Sequence, residues 1–200
     1  MNTDLTTGNT SRLLWAFSIP MLISVAFQQF YNIADSVIAG RFIGEQALAA
    51  VGASYPITMI FMAVAIGSSI GCTVVVSQLF GSKHYAMLKT AVGTICCAGV
   101  VVSLALSLFG IRQDDNLLLL LQTPENIFSD ASLYLHIYIL GFLFLFLYNV
   151  GTGIFTALGD SRTPLYFLIG SSLGNIALDL LFVIAFDMGV AGVAWATFLA

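Results

Sequence analysis

The chain has 200 residues, 59% of them hydrophobic and 8% charged, with a formal net charge of -4 and a mean hydropathy of +0.99. Soluble domains carry about 25% charged residues, so a water-soluble fold is excluded; a polytopic membrane protein is implied, because its lipid-facing and core-facing surfaces are both apolar. The basic side chains form no run, which argues against a nucleic-acid or headgroup-binding patch.

Residues 1–12 are polar and are expected to form a cytoplasmic N-terminus. The uncharged stretch that follows is too long for a cleavable signal core and has no small-residue cleavage site, so it reads as a retained first span over 13–39. A second uncharged run, with Pro56 near its start, predicts one long or kinked helix over 47–79. A third span is expected at 90–111, followed by the polar stretch 112–130 as the longest loop. Further spans are expected at 131–158 and 164–186, and a sixth begins at 190 and is cut short at 200. The fold class is therefore an all-α polytopic bundle of five full transmembrane helices and the start of a sixth, with 13–200 forming one transmembrane lobe.

Arg12, Lys83, Lys89 and Arg162 fall on one side of these spans and Arg41 and Arg112 on the other, which predicts a cytoplasmic N-terminus in the cell membrane. The Gly67 and Gly71 spacing predicts a close helix contact. Cys72, Cys96 and Cys97 lie in apolar stretches and are expected to be small buried hydrophobes, with no disulfide or metal spacing.

The chemistry concentrates on carboxylates inside apolar spans. An ionised Asp at mid-helix costs about 2.5–3.5 kcal/mol on insertion scales, so Asp35 needs a reason to be there. At 100° per residue, Gln28, Asn32 and Asp35 fall within about 60° of one another, and Asn175 lies about 40° from Asp179 in the fifth span. Each span thus pairs a carboxylate with a carboxamide. Such groups can tie helices together by hydrogen bonds. They can also load and unload a proton, because desolvation shifts carboxyl titration, or supply hard oxygen ligands to an alkali cation such as Na+ at Asp35, Asn175 and Asp179. The sequence leaves H+ and Na+ equally open, and no other metal site or cofactor is expected.

Asn149, Thr152 and Thr156 share a face of the fourth span, as a cavity wall or as hydroxyls satisfied on their own helix. Ser68, Ser69, Thr73 and Ser77 read as packing residues. Tyr31 and Tyr148 are the aromatic residues nearest the polar stripes and are candidates to line a cavity. His84 reads as a solvated loop residue and His136 as a residue near the outer end of the fourth span, neither with a metal partner at useful spacing.

Pro20, the run Gln28-Gln29-Phe30-Tyr31-Asn32-Ile33-Ala34-Asp35 and Leu48-Ala49-Ala50-Val51-Gly52 resemble the opening of the multidrug and toxic compound extrusion (MATE) family. Gly159-Asp160-Ser161-Arg162-Thr163-Pro164 and the segment from Asn175 to Asp179 are similar to the same family, in the same order along the chain. The resemblance implies one lobe of a twelve-helix, two-lobed secondary antiporter that exports small cationic or amphipathic compounds in exchange for H+ or Na+ by alternating access, its C-terminal lobe lying outside this chain. It implies an ion or proton site at Asp35, Asn175, Asp179 and Thr197, and a cavity lined by Gln28. The polar-stripe reading adds Asn32, Tyr31 and Asn149 to that cavity. A lipid-linked oligosaccharide flippase of the same superfamily is the alternative within transporters. An intramembrane aspartyl protease is a remote third: it needs a Gly-x-Gly-Asp pattern, and Ala157-Leu158-Gly159-Asp160 lacks the first glycine.

Overall fold

A computed structural model describes residues 10–200, so most of the predicted N-terminal segment 1–12 lies outside the described residues. Six helices follow one another: α1 (Thr10–Ile38), α2 (Glu45–Gly81), α3 (Tyr85–Leu120), α4 (Glu125–Ala157), α5 (Arg162–Leu180) and α6 (Gly189–Leu199). Helices α1 and α5 each continue into a wide π-helical turn, at Ala39–Ile43 and Leu181–Ala185, closed by i→i+5 bonds from the N–H groups of Gly44 and Phe186. Five of these segments are long and apolar enough to cross a bilayer, so the chain is a multi-pass membrane protein.

The helices run longer than hydropathy alone suggests. The expected loop at 112–130 is corrected: α3 continues to Leu120, α4 starts at Glu125, and only 121–124 connect them. Its polar residues are helical because they find partners across the α3–α4 contact. Asp114 is buried against His136, Nδ1 to Oδ2 2.7 Å, and Ser132 donates to Asp115 Oδ1 at 2.6 Å. His136 is thus half of a side-chain contact that ties α4 to the end of α3. His84, exposed, has its Nδ1 within 2.8 Å of Ser82 Oγ.

Three helices stop in the same way. At the ends of α2, α3 and α4 the chain turns left-handed at Lys83, Gln122 and Gly159, and the next N–H reaches back five residues to the carbonyls of Leu79, Leu118 and Phe155. After Gly159, Asp160 accepts from the N–H groups of Arg162 and Thr163 and from the Thr163 hydroxyl, while Pro164 occupies the first turn of α5, where a missing N–H costs nothing. The family-like segment from Gly159 to Pro164 is therefore a helix stop joined to a helix start.

The core lies between α2, α3 and α4, where Ile57, Phe61, Leu118, Leu135, Ile139, Phe142 and Phe146 are buried. Helices α2 and α4 are stitched by hydroxyl-to-backbone bonds: Ser54 to Ala131 O, Ser69 to Asn149 O and Thr73 to Gly153 O. Ser69 and Thr73 are packing residues, as expected. The close approach is made at Gly153, where an added Cβ would lie 2.8 Å from the Ser69 carbonyl oxygen; at Gly67 and Gly71 a Cβ would meet nothing within 4 Å, so the expected contact at that pair is corrected. Glycines in a membrane helix face lipid as readily as a neighbour, and spacing alone does not distinguish the two. Cys96 and Cys97 are likewise exposed on α3 and Cys72 half-buried, against the expectation of burial.

A second, smaller cluster gathers the ends of α1, α4, α5 and α6 around Ile38, Ala39, Tyr134, Ile137, Val183 and Val193. It forms the floor on which the polar residues of α1 and α5 meet.

Candidate functional site

Helix α1 packs along α5, and this contact brings the two intramembrane carboxyls together. Asp179 is fully buried, Asp35 is half-buried, and their side chains lie within hydrogen-bonding reach of each other. Asn175, one turn before Asp179 and 2% exposed, bridges outward: its amide donates to Asp179 Oδ2 at 2.9 Å and its carbonyl accepts from the Thr197 N–H at 3.2 Å, tying α5 to α6. The Thr197 hydroxyl donates to Val193 O at 3.0 Å and lies beside the Tyr31 phenol. Three helices therefore converge on one small polar centre.

The centre is deficient in donors. Oδ1 of Asp35 and Oδ1 of Asp179 are both buried with no hydrogen-bond partner, and an unpaired buried acceptor is costly. A proton held between the carboxyls, or a cation bound by both, supplies what the protein does not. The carboxyls, the Asn175 amide and the Thr197 hydroxyl present oxygen atoms, the donor set that suits a proton or a hard cation. Among the described residues no group of three His, Cys, Asp or Glu side chains gathers elsewhere to hold a metal ion.

Two residues of this centre escaped sequence reasoning. Tyr134, buried on α4, lies within Coulombic range of both carboxyls, and Tyr138 lies within range of Tyr31 and Tyr134. Their four-residue spacing puts them on one face of α4, as that of Tyr31 and Asp35 does on α1, and that spacing was the available signal.

The stripe expected on α1 divides. Asp35 and Tyr31 turn toward α5 and α6, whereas Gln28 and Asn32 are exposed and Asn32 donates to Gln29 Oε1 at 3.2 Å. Asn32 lines an open cavity of 740 Å³ beside the C-terminal half of α1, with Gln29, Ser36, Arg41 and the start of α2. Gln28 is outside that lining, and Tyr31 belongs to the carboxyl centre. Asn149 lies in the α2–α4 seam instead, its side-chain amide donating to Leu145 O at 2.8 Å and its backbone carbonyl accepting from the Ser69 hydroxyl. Tyr148 sits beside Thr152 on its own helix.

The chain is similar in sequence and fold to known transporters. The MatE family profile matches residues 20–181. The chain is 33% identical over 196 residues to the probable multidrug resistance protein YpnP of Bacillus subtilis (strain 168), a match that covers 98% of this chain and 44% of that protein. It is 25% identical to the multidrug export protein MepA of Staphylococcus aureus (strain NCTC 8325 / PS 47), over 90% of this chain and 40% of that protein. Among solved structures, an outward-facing multidrug resistance MATE family transporter of the MOP superfamily superposes with a TM-score of 0.91 at 26% identity, covering 96% of this chain and 42% of that one. A MATE crystal structure in complex with MaL6 superposes at 0.93 with 25% identity, covering 99% and 44%. The chain spans less than half the length of the curated relatives it matches.

Proposed function

The chain belongs to the MatE family, and from that membership we propose that it forms the N-terminal lobe of an ion-coupled exporter of small amphipathic compounds. Asp35, Asn175, Asp179 and Thr197 act as the coupling site. The observation that carries this reading is the pair of buried carboxyl oxygens without a donor, gathered where α1, α5 and α6 meet. Charge buried without a partner favours whichever helix packing lets it take up an ion. Ion binding can then drive the lobe between two states in proportion to its differential affinity; reversing a 1:99 population needs about 5.5 kcal/mol of such preference.

Alternating access follows if the second lobe rocks against this one as the site fills and empties. Pro20, buried within α1, breaks one backbone hydrogen bond and supplies a bending point for that helix. The charge asymmetry of the helix ends supports a cytoplasmic N-terminus. H+ and Na+ both suit the site.

The test uses everted vesicles carrying the full-length protein. Export of a fluorescent amphiphile should collapse when the proton or sodium gradient is removed, and imposing each gradient separately identifies the ion. Asp35→Asn should reduce export to the level of gradient-free vesicles while Asp35→Glu retains part of it. Normal gradient-driven export by Asp35→Asn would overturn the assignment.

A further inference from the structure

We propose that the open cavity on the far side of α1 from the carboxyl centre is an anion-reading subsite, and that it takes an amphiphile whose head is a carboxylate, sulfonate or phosphate. The inference rests on the export reading only in treating that amphiphile as cargo. At 740 Å³ the cavity has room for a drug-sized molecule, and the charge in its lining is of one sign. Arg41 contributes a guanidinium; no carboxylate lines it. Among the described residues Arg41 has no ion-pair partner.

The rest of the lining matches an amphiphile. Ile33, Val37 and Leu48 give an apolar wall, while Asn32 and Ser36 give a polar edge on the same stretch of helix. The Asn32 amide is held by Gln29 and the Ser36 hydroxyl by Asn32 O, so these groups are already oriented before a ligand arrives. A planar guanidinium pairs two donors with the two oxygens of a carboxylate or phosphate, a geometry that an ammonium-bearing ligand cannot use.

Helix α1 separates the two signs of charge. Asp35 turns to Asp179, and Arg41, in the π-helical turn that ends the same helix, lines the opposite cavity. That turn also touches α6 and the π-helical turn following Asp179. A head group held at Arg41 and an ion held at Asp35 therefore bear on one helix end, the arrangement that coupling between two sites needs.

Equilibrium dialysis of the full-length protein in phosphatidylcholine nanodiscs tests the proposal with two radiolabelled probes, decanoate and the lipophilic cation tetraphenylphosphonium. Arg41→Gln should weaken decanoate binding by about tenfold or more, the loss of one charge-assisted contact, and leave tetraphenylphosphonium within about twofold. Arg41→Lys should recover part of the decanoate affinity. Equal weakening of both probes, no change in either, or no decanoate binding above empty nanodiscs would overturn the proposal. Displacement of decanoate by phosphatidylglycerol placed in the bilayer would overturn it too, by assigning the cavity to a lipid headgroup. None of these readouts needs an ion gradient, so failure of the Asp35 experiment and failure of this one are distinguishable.

Discussion

Asp160 shows how much of a residue's signature is local structure. Its carboxylate accepts from two N–H groups at the start of α5 and from the Thr163 hydroxyl at 2.7 Å, and the Thr163 hydroxyl foremost, then those N–H groups, hold its pKa below the ordinary carboxylate value. Because the folded-state pKa is depressed, this contribution is fully present above the unfolded value near 4 and is lost only as pH falls through the lower folded value. Neutral and mildly acid conditions leave it intact. Asp160→Ala should cost about 1 kcal/mol, the worth of a helix cap, and should speed hydrogen exchange at Arg162 and Thr163. The wild type should show the same faster exchange only in strong acid; equal exchange in both proteins at neutral pH would deny the cap. At this scale the sequence was partly legible. Asp35, Asn175 and Asp179 announced themselves because polar groups in an apolar run must be satisfied. Tyr134 did not, because a buried tyrosine looks like any other aromatic until its neighbours are known.

Among whole helices, the contact that fixes the lobe is the α2–α4 seam. A Cβ at Gly153 would meet Ser69 Oγ at 2.6 Å, Thr73 Oγ1 at 2.8 Å and the Ser69 carbonyl at 2.8 Å. The two hydroxyls can rotate away, but the carbonyl belongs to the backbone of α2 and can yield only if the helices part. Gly153→Ala should therefore destabilise the protein by about 1–3 kcal/mol, and removing the Ser69 hydroxyl as well should not rescue it. Gly67→Ala, with open space around it, should melt like the wild type. A detergent melt of the three variants checks both statements, and a Gly153→Ala protein as stable as Gly67→Ala would refute the seam. Element existence was legible from hydropathy, whereas element ends were not. Hydropathy locates the part of a helix in contact with lipid, and α3 runs on past it through Asp114 and Asp115 because α4 offers His136 and Ser132 as partners.

For the molecule as a whole, composition alone implied a membrane bundle, but not which helices pair; α1 with α5 and α2 with α4 are contacts between segments far apart in sequence. That pairing gives the orientation question a functional edge. Asp35 and Asp179 lie near the ends of their helices that share a side with Arg41, Asp187 and the 121–124 turn, roughly 14 Å of helix from Gly44 in the case of Asp35. If the N-terminus is cytoplasmic, the carboxyl centre lies in the outer half of the bilayer, close to where an inward-flowing ion enters. Single-cysteine proteins in a background without Cys72, Cys96 and Cys97 test this directly. A membrane-impermeant maleimide added to intact cells should label Glu125→Cys, at the start of α4, and should label Ser82→Cys, between α2 and α3, only after permeabilisation. The reverse pattern would turn the lobe over and put the carboxyl centre on the cytoplasmic side. An ion arriving from outside would then have to cross most of the lobe before meeting Asp35, and coupling by direct entry from the outer face would fail with it.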